Sequence, residues 1–272
     1  KMKLAILVIL CVSLVLGTPE EGRAKWEKVV SELHKREFVE GNPPTPIWGG
    51  APSYTVRVKM TDPADSPDMP DWYFNYSYFV DPSAPYKNIY SRYNIEQGNG
   101  DEVCQNIPNA PPTGTPCVAL HSNDDNWLYV EWYSSNNFSQ REYCCKCTQE
   151  IGAVKWNWLY PPNNSTYEGT YNGVDSYGAP FDAPPQGSNT ANRWFIEGQY
   201  GNNYYATVDH YQQPVRYNEK KGTALKQWDF DLTTYEYQWN WLVDGPPPGL
   251  FDAPSDCDNL CHGWCRAYDK KE

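Results

Sequence analysis

Short segments rich in Tyr, Trp, Val and Thr recur after residue 52, and turn residues separate nearly every pair. Aromatic and β-branched residues favour strands, whereas Gly, Pro, Asn and Asp favour turns. The predicted strands are 54–60, 71–80, 86–95, 117–121, 126–133, 153–160, 165–171, 192–199, 202–211, 214–218, 225–232 and 235–243. Because no helical crossovers of ~10 residues separate them, the pattern predicts an antiparallel meander.

One segment has a helical period instead. Thr18 is placed as the N-cap, Pro19 lies in the first turn, and Glu21 completes a T-x-x-E capping box. The apolar stripe that follows consists of Trp26, Val29, Val30, Leu33 and Phe38. We expect an amphipathic helix whose stripe covers an apolar surface.

The composition supports a mainly β fold. The chain has 272 residues, 40% of them hydrophobic, which is enough for one substantial core or two small ones. It contains 12 Trp and 22 Tyr but only 8 Phe, so much of its apolar surface carries a polar group that needs a partner or water. With 24 Pro and 19 Gly, long helices are disfavoured.

The first seventeen residues predict a secretory signal peptide. Lys1 and Lys3 give a positive start, the run 4–16 is apolar, and Gly17 is small enough for cleavage. The alternative is a membrane anchor, for which the run falls short of ~18 residues. The expected parts are a signal peptide over 1–17, a helix over 18–40, an antiparallel β domain over 41–256 and a Cys-rich tail over 257–272.

The charge of the mature chain excludes one class of partner. Removal of Lys1 and Lys3 takes the formal net charge from -12 to -14. Such an acidic protein repels nucleic acid and anionic membrane surfaces, so we expect no nucleic-acid partner.

Eight cysteines remain in the mature chain, an even number that predicts four disulfides in an oxidising compartment. They are Cys104, Cys117, Cys144, Cys145, Cys147, Cys257, Cys261 and Cys265. Cys104 and Cys117 bracket a proline-rich loop and are placed to pair locally, while the other pairings stay open. The alternative is a zinc site that includes His262, but the paired C-x2-C spacing of structural zinc sites is missing.

Four N-x-S/T sequons agree with passage through a secretory route, either to the outside of the cell or to the lumen of a lysosome-like compartment. The acceptors are Asn75, Asn137, Asn163 and Asn164.

The segment "QWNWLVDGPPPGLFDAPSDCDNLCHGWC" predicts a fastener at the open end of a sheet. Trp239 and Trp241 would share one face of a strand that the prolines end. Phe251 would then act as an apolar plug and Cys257 as a covalent tie. The last three cysteines are spaced four apart, which would place them on one helical face: Cys257, Cys261 and Cys265.

A series of short motifs lies between residues 202 and 257: "YYATVD", "PVR", "WDFDL" and "FDAPSDC". In this order they resemble the C-terminal half of the ependymin-type and counting-factor-associated secreted proteins, whose domain has the fold of the lipoprotein carriers LolA and LolB. The matching positions are Tyr205, Val208, Asp209, Pro214, Val215, Arg216, Phe230, Phe251, Asp252, Pro254 and Cys257. The resemblance covers about residues 150 to 257.

The resemblance implies a curved antiparallel sheet folded into a half-open barrel. It also implies a helix across the mouth of that barrel and a hydrophobic pocket for a lipid-like ligand. It implies no disulfide pairing, because Cys144, Cys145, Cys147, Cys261 and Cys265 are extra to the pattern.

We therefore expect a secreted, non-enzymatic binder of a hydrophobic small molecule or lipid, without a cofactor or metal. A second partner class is other extracellular or cell-surface proteins. The candidate wall residues are Trp156, Trp158, Phe195, Tyr205, Trp228, Phe230, Trp239 and Trp241. For each of them a plain core role is an equal alternative, because the inner face of a sheet is apolar with or without a ligand.

Two other functions stay open. A structural or adhesive glycoprotein would have a filled barrel and a flat exposed aromatic patch. A glycan-binding or glycan-active protein would use Asp229 and Asp231 as a carboxylate pair beside aromatic platforms, although alternate Asp residues also fit the solvated face of a strand. The run Asp62–Asp71 could hold calcium, but an acidic surface loop explains it better.

Overall fold

The structure is a computed structural model. It describes residues 18–34, 45–48, 51–61, 72–81, 88–96, 104, 115–122, 127–147, 158–159, 165–172, 190–197, 202–208, 213–221 and 224–261. The predicted signal peptide 1–17, the acidic loop 62–71 and positions 262–272 lie outside these residues.

Helix α1 spans Pro19–His34 and begins as predicted. The Glu21 amide donates to Thr18 Oγ1 at 3.2 Å, and the Thr18 amide donates to Glu21 Oε2 at 3.0 Å. These two bonds form the capping box and satisfy amides that have no partner within the helix. The predicted continuation to residue 40 lies outside the described residues.

Helix α1 packs against α2, a single helical turn at Trp241–Asp244. Trp26 of the predicted stripe is buried. At Gly22 the two elements come so close that a Cβ atom would lie 3.0 Å from Leu242 Cβ and 3.3 Å from the Trp239 carbonyl oxygen. Glycine at position 22 therefore permits the contact between the two helices.

Eleven strands form one antiparallel sheet within the described residues, so the predicted mainly β class is confirmed. They are β1 Ser53–Thr61, β2 Trp72–Val80, β3 Ile89–Ile95, β4 Cys117–Ser122, β5 Trp127–Tyr133, β6 Arg141–Cys147, β7 Thr166–Asn172, β8 Thr190–Glu197, β9 Asn202–Val208, β10 Pro214–Lys221 and β11 Ala224–Tyr237.

The sheet consists of two meanders joined in the middle. Its strand order is β6-β5-β4-β3-β2-β1-β11-β10-β9-β8-β7. All pairs of neighbours are consecutive in sequence except β1 and β11, which connect the two meanders. The described sheet is large and curved, with β6 and β7 as its edges, and it does not close into a barrel.

The predicted strands differ from the observed ones in three places. Strand β6 was not predicted, because its cysteine-rich sequence "REYCCKC" was interpreted only as a source of disulfides. The segments predicted at 225–232 and 235–243 belong to one strand, β11. Residues Trp158 and Leu159 of the predicted strand 153–160 lie in a turn, and the rest of that segment lies outside the described residues.

A bulge explains how β11 runs through a polar stretch. Its register against β1 shifts between Thr55 and Arg57. Asp231 Oδ1 accepts hydrogen bonds from the amide of Thr233 at 3.0 Å and from its hydroxyl at 2.6 Å, and the Arg57 amide donates to Thr234 Oγ1 at 2.9 Å. Side-chain acceptors and donors thus replace the interrupted ladder.

The prediction that Trp239 and Trp241 share one face of a strand is wrong. The strand ends at Tyr237, and a helical turn follows, in which the amide of Asp244 donates to the Asn240 carbonyl at 2.9 Å. Trp239 stacks on Tyr237 with ring centroids 5.5 Å apart, while Trp241 is buried elsewhere. The alternation of side chains that relates i and i+2 in a strand does not hold in a helical turn.

After α2 the chain crosses the sheet as an irregular segment, Gly245 to Cys261, which we call the strap. Phe251 is the buried plug that the sequence predicted. Its ring centroid lies 6.3 Å from Phe79, 5.8 Å from Tyr90 and 6.0 Å from Trp241. The strap therefore covers strands β2 and β3 on the side where Phe79 and Tyr90 point.

Disulfides fasten the strap to the edge strand β6. Cys144 pairs with Cys257, and Cys145 pairs with Cys261. Because consecutive residues of a strand point to opposite faces, these two bonds hold the strap on both sides of the edge. Next to Cys145, Lys146 exchanges backbone hydrogen bonds of 2.8 and 2.9 Å with Asn259 and Cys261. The strap thus occupies part of an edge that would otherwise be open to other chains.

The remaining predictions on the cysteines have mixed outcomes. The local pair Cys104–Cys117 is confirmed, and Cys147 is also disulfide-bonded. The helical alignment predicted for Cys257 and Cys261 is wrong, because the strap is irregular there and follows β6. Cys265 lies outside the described residues.

A polar network lies beneath the strap. Glu131 is buried and accepts hydrogen bonds from Tyr133 Oη at 2.9 Å and Arg141 Nη1 at 3.0 Å. Arg141 also contacts Asp256 of the strap, and Arg92 Nη1 donates to the Leu250 carbonyl at 3.1 Å. The buried carboxylate is thus paired, as burial of a charge requires.

Within the part of the chain that the structure describes, no helix has the length and apolar character needed to cross a membrane.

We predict that removing the pair Cys145–Cys261 costs far less stability than its sequence separation of 116 suggests. A loop of that size would contribute about 5 kcal/mol through chain entropy. The neighbouring bond Cys144–Cys257 already closes nearly the same loop, so the second bond closes a ring of only about six residues, worth about 2 kcal/mol. The measurement is the free energy of unfolding in urea for Cys145→Ala with Cys261→Ala.

The matched control is Cys104→Ala with Cys117→Ala. This pair closes its own loop with a separation of 13 and should cost about 3 kcal/mol. The two double variants should therefore lose similar amounts. A loss near 5 kcal/mol for the Cys145–Cys261 pair would show that the two strap bonds act independently.

Candidate functional site

The central strands carry a cluster of largely buried tyrosines on one side of the sheet, which we call the aromatic face and define by Tyr54, Val58, Tyr76, Tyr78 and Tyr93. Strand alternation and the register place these side chains together, because Val58 lies opposite Phe74, and Tyr76 lies opposite Tyr93. The Tyr54 ring centroid lies 5.2 Å from that of Tyr78, and Tyr76 lies 4.8 Å from Tyr93. The other side of the sheet is called the opposite face.

One row of this face is rich in polar groups. The register aligns Tyr54 with Tyr78, Tyr78 with Ser91 and Ser91 with His121, across strands β1 to β4. We call these four residues, which carry three hydroxyl groups and the imidazole of His121, the hydroxyl row. All of them are buried. Polar side chains at a buried position of a sheet need hydrogen-bond partners from the protein or from something bound to it.

Burial raises the pKa of the phenols on this face. The pKa values of Tyr54, Tyr76 and Tyr78 lie well above the ordinary value, first because of burial and then because of neighbouring phenols. The pKa of Tyr93 is also raised, mainly by burial. The cluster therefore keeps its protons at neutral pH and consists of neutral hydroxyl groups.

The aromatic face continues across the junction between the meanders to β10 and β11. The Trp48 ring centroid lies 5.6 Å from Trp158 and 5.7 Å from Phe230. Tyr217 lies 5.9 Å from Trp158 and 4.7 Å from Trp228. Several of these contacts are edge-to-face, the geometry that aromatic pairs favour.

The structure thus brings three of the eight predicted wall residues together: Trp158, Trp228 and Phe230. Phe195 lies in β8 at a position of the opposite face, because the neighbouring Trp194 is on the aromatic face beside Tyr167. Tyr205 lies in β9 opposite Phe195 and Asn218 by register.

Two further predicted wall residues, Trp239 and Trp241, lie apart from this group. Trp239 stands at the end of β11, where Arg23 of α1 lies 5.9 Å from its ring centroid. Trp241 belongs to the cluster under the strap, with Phe79 at 6.5 Å and Phe251 at 6.0 Å. Trp156 is outside the described residues.

Sequence reasoning missed Trp48 and the tyrosines of β1, β2 and β3. A usable signal existed in "SYTVRVKMT", where Tyr, Val, Val and Met alternate with polar residues. In "WYFNYSYFV" both faces carry aromatic residues, so that segment alone does not show which side is the inner one. Only the pairing of β2 with β1 shows which side of β2 belongs to the aromatic face.

Strands β8, β10 and β11 carry buried polar residues on the opposite face. Arg193, Arg216, Asn218 and Gln227 are buried. Arg216 Nε donates to Asp229 Oδ1 at 2.5 Å, and Gln227 Nε2 donates to Asp229 Oδ2 at 2.8 Å. Arg193 forms an ion pair with Glu168 at 3.0 Å.

These contacts bear on the proposed carboxylate pair. Asp229 is held by Arg216 and Gln227, and Asp231 holds the bulge residue Thr233. Each carboxylate thus has a structural role in the sheet. The face is thus not uniformly solvated, because 27% of the Asp229 side chain is exposed but only 2% of the side chain of its partner, Arg216.

Comparisons with known proteins assign no family to this chain. No family model matches it, and no curated protein matches it. Among solved structures it is similar to an uncharacterized conserved protein from Thermus thermophilus, with a TM-score of 0.38 and 9% sequence identity. The match covers 77% of this chain and 90% of that chain. A likeness at this TM-score carries no argument about function.

The buried phenols predict a loss of stability at alkaline pH. The unfolded chain ionises its tyrosines at about pH 10, whereas the folded cluster holds its protons to higher pH. The stabilisation is therefore complete below about pH 10 and declines above it, by about 1.4 kcal/mol per pH unit for each phenol. Urea unfolding at a series of pH values measures the slope.

Tyr78→Phe is the matched variant, because it keeps the ring and removes one titrating group. Its unfolding free energy should fall less steeply above about pH 10 than that of the parent, by about 1.4 kcal/mol per pH unit. Equal slopes for the two proteins would contradict the buried placement of this hydroxyl.

Proposed function

We propose that this protein is a secreted, non-enzymatic binder of a hydrophobic, lipid-like ligand, and that the ligand occupies the aromatic face. One observation carries the proposal. At the described positions of β1 to β5, the aromatic face holds aromatic, aliphatic and small side chains together with His121, and no Asp, Glu, Lys or Arg. It is also continuous with the tryptophan cluster around Trp48.

The physical basis is the hydrophobic effect. An apolar ligand gains about 25 cal/mol for each Å² of apolar surface that it removes from water, and a site without ionic groups imposes no penalty for breaking ion pairs. Apolar sites with a few placed polar groups are typical of small-molecule binding. The hydroxyl row supplies such polar groups here.

The proposal of secretion is supported by the disulfides and by two sequons. Three disulfides connect described cysteines, which agrees with an oxidising compartment. Asn75 on β2 and Asn137 in the turn between β5 and β6 are both exposed, as glycan acceptors must be. Asn163 and Asn164 lie outside the described residues.

We also propose that the resemblance to the ependymin-type proteins reflects a real relationship. In support, the chain has the open antiparallel sheet and the N-terminal amphipathic helix that the resemblance implied. The closing motif "FDAPSDC" coincides with the strap, where Phe251 and Cys257 are both buried. Those residues have structural roles that would preserve such a motif.

The test begins with the protein secreted from a eukaryotic host. Organic extraction followed by mass spectrometry should release a lipid-like molecule, and the emptied protein should take up a fluorescent fatty acid saturably. No extracted molecule together with no uptake would overturn the proposal.

Ala119→Leu separates a ligand site from an ordinary core. Ala119 lies on the aromatic face, opposite Tyr93 and Val130. If a ligand occupies this face, the larger side chain should weaken uptake roughly tenfold, equivalent to about 1.4 kcal/mol. The control is Ala253→Leu on the strap, which should bind normally. Because Ala119 is only 3% exposed, Ala119→Leu should also lose about 1 to 3 kcal/mol of stability; a loss of stability with unchanged uptake would show that Ala119 has only a core role.

A further inference from the structure

An exposed aromatic side chain stands beside a sequon on the opposite face of the sheet. Among the large apolar side chains of the described residues, only Tyr73 and Leu260 are exposed, at 39% and 47%. Tyr73 and the sequon acceptor Asn75 lie two residues apart in strand β2, so their side chains point to the same face. Asn75 is itself exposed. The position of the ring beside a sequon, rather than its exposure alone, makes it informative.

Two charged side chains lie around the same position. Arg57 is directly opposite Asn75 in β1, and the amide of Glu96 donates to the Tyr73 carbonyl at 3.2 Å. The Arg57 Cζ atom lies 5.2 Å from the centroid of the Tyr73 ring, and Arg57 Nη2 donates to Glu96 Oε2 at 3.0 Å. The Arg57 and Glu96 side chains are 41% and 29% exposed. We call Arg57, Tyr73 and Glu96 the sequon patch.

A sugar ring has the chemical groups that such a patch binds. The axial C–H groups on one face of N-acetylglucosamine form an apolar surface with partial positive charge, and the face of an aromatic ring carries partial negative charge. The hydroxyl and acetamide oxygens of the sugar accept hydrogen bonds. A guanidinium has five N–H donors, and Arg57 uses one of them on Glu96 in the described contacts. The Glu96 carboxylate can accept a bond from a sugar hydroxyl.

We propose that Asn75 carries an N-linked glycan whose first sugar lies on the sequon patch, against the exposed part of the Tyr73 ring. Residues i and i+2 of a strand are about 6 to 7 Å apart, so a sugar attached to the end of the Asn75 side chain reaches the neighbouring ring. The glycan is then a structural part of the opposite face. This inference rests on the proposed secretion and not on the proposed ligand.

The attachment forms one bond and breaks one. Asn75 Nδ2 bonds to the anomeric carbon of a diphosphate-linked oligosaccharide donor, the bond from that carbon to the diphosphate breaks, and the amide proton passes to a base of the transferase. Ser77, whose hydroxyl completes the sequon, is only 8% exposed, and β2 is paired on both sides. The transferase therefore acts on the unfolded chain, before β2 pairs with its neighbours.

The second described sequon has no such patch and provides a comparison from the same chain. Asn137 lies in the turn between β5 and β6, where its Oδ1 accepts hydrogen bonds from Ser135 Oγ at 2.7 Å and Ser139 Oγ at 2.8 Å. The adjacent Phe138 packs against Tyr133, with ring centroids 5.5 Å apart. Within the described residues this turn thus has no exposed aromatic ring for a sugar.

The experiment uses the full chain secreted from a eukaryotic host, with each glycan trimmed enzymatically to its first sugar. Peptide mass mapping measures the occupancy of Asn75 and Asn137. A double-mutant cycle then combines Asn75→Gln, which removes the glycan, with Tyr73→Thr, which removes the ring and keeps a strand-forming residue. We expect the glycan to lower the unfolding equilibrium constant in urea about three- to tenfold in the parent, the size of one aromatic contact, and to lose this effect in Tyr73→Thr.

Two controls and a second measurement identify the contact. Tyr73→Phe keeps the ring and should retain the effect of the glycan, whereas a cycle with Asn137→Gln should show no coupling to Tyr73. In the NMR spectrum of the parent with isotope-labelled sugars, the ring protons of the Asn75 sugar should lie upfield of those of the Asn137 sugar, because an aromatic face shields protons above it. This measurement does not depend on the folding of any variant.

The outcomes separate this inference from the proposed function. If the protein is secreted and Asn137 is occupied while Asn75 is not, the inference is overturned and the proposed secretion stands. An occupied Asn75 whose glycan shows neither coupling to Tyr73 nor an upfield shift would equally overturn it, as would a coupling of the same size at Asn137. If the chain is not secreted and neither site is occupied, the proposed secretion and this inference fail together.

Discussion

The pairing of β1 with β11 is the constraint on which the rest of the structure depends. It joins Ser53–Thr61 to Ala224–Tyr237, whereas all other neighbours in the described sheet follow each other in sequence. Closing so long a loop costs conformational entropy. The strap also connects the two meanders, because it follows β11 and α2 in the chain and its disulfides tie it to β6 at the far edge of the other meander. Without this pairing the aromatic face would be divided into two unconnected halves.

The choice of tyrosine over phenylalanine gives that face its character. Phenylalanine would fill the same space, but tyrosine adds a hydroxyl that resists deprotonation when it is buried. The face is therefore apolar in area, neutral in charge and supplied with hydrogen-bond donors. The buried arginines of the second meander, Arg193 and Arg216, lie on the other side of the sheet, where Arg216 is held by Asp229. This separation by faces follows from strand alternation.

The sequence was sufficient to predict the fold class, because that depends on local patterns. The capping box of Thr18 and Glu21 was found from the T-x-x-E spacing, and the local disulfide Cys104–Cys117 from its short separation. Most strands were found from aromatic and β-branched segments between turn residues. Strand β6 was not predicted, because the cysteines of "REYCCKC" indicate disulfides and hide the strand pattern, although the segment is both a strand and a source of disulfide bonds.

What the tertiary structure decided is which residues meet. Trp228 and Phe230 share one face of β11, but Trp158 joins them only through Trp48 and Tyr217, which are distant from it in sequence. The hydroxyl row exists only when four strands align in one register, and a shift of one residue would turn Tyr54 to the other face. The sequence by itself determined that strands, a capped helix and disulfides would form, since these depend on neighbours in the chain. It did not determine the register or the path of the strap, because both depend on contacts between residues far apart in sequence.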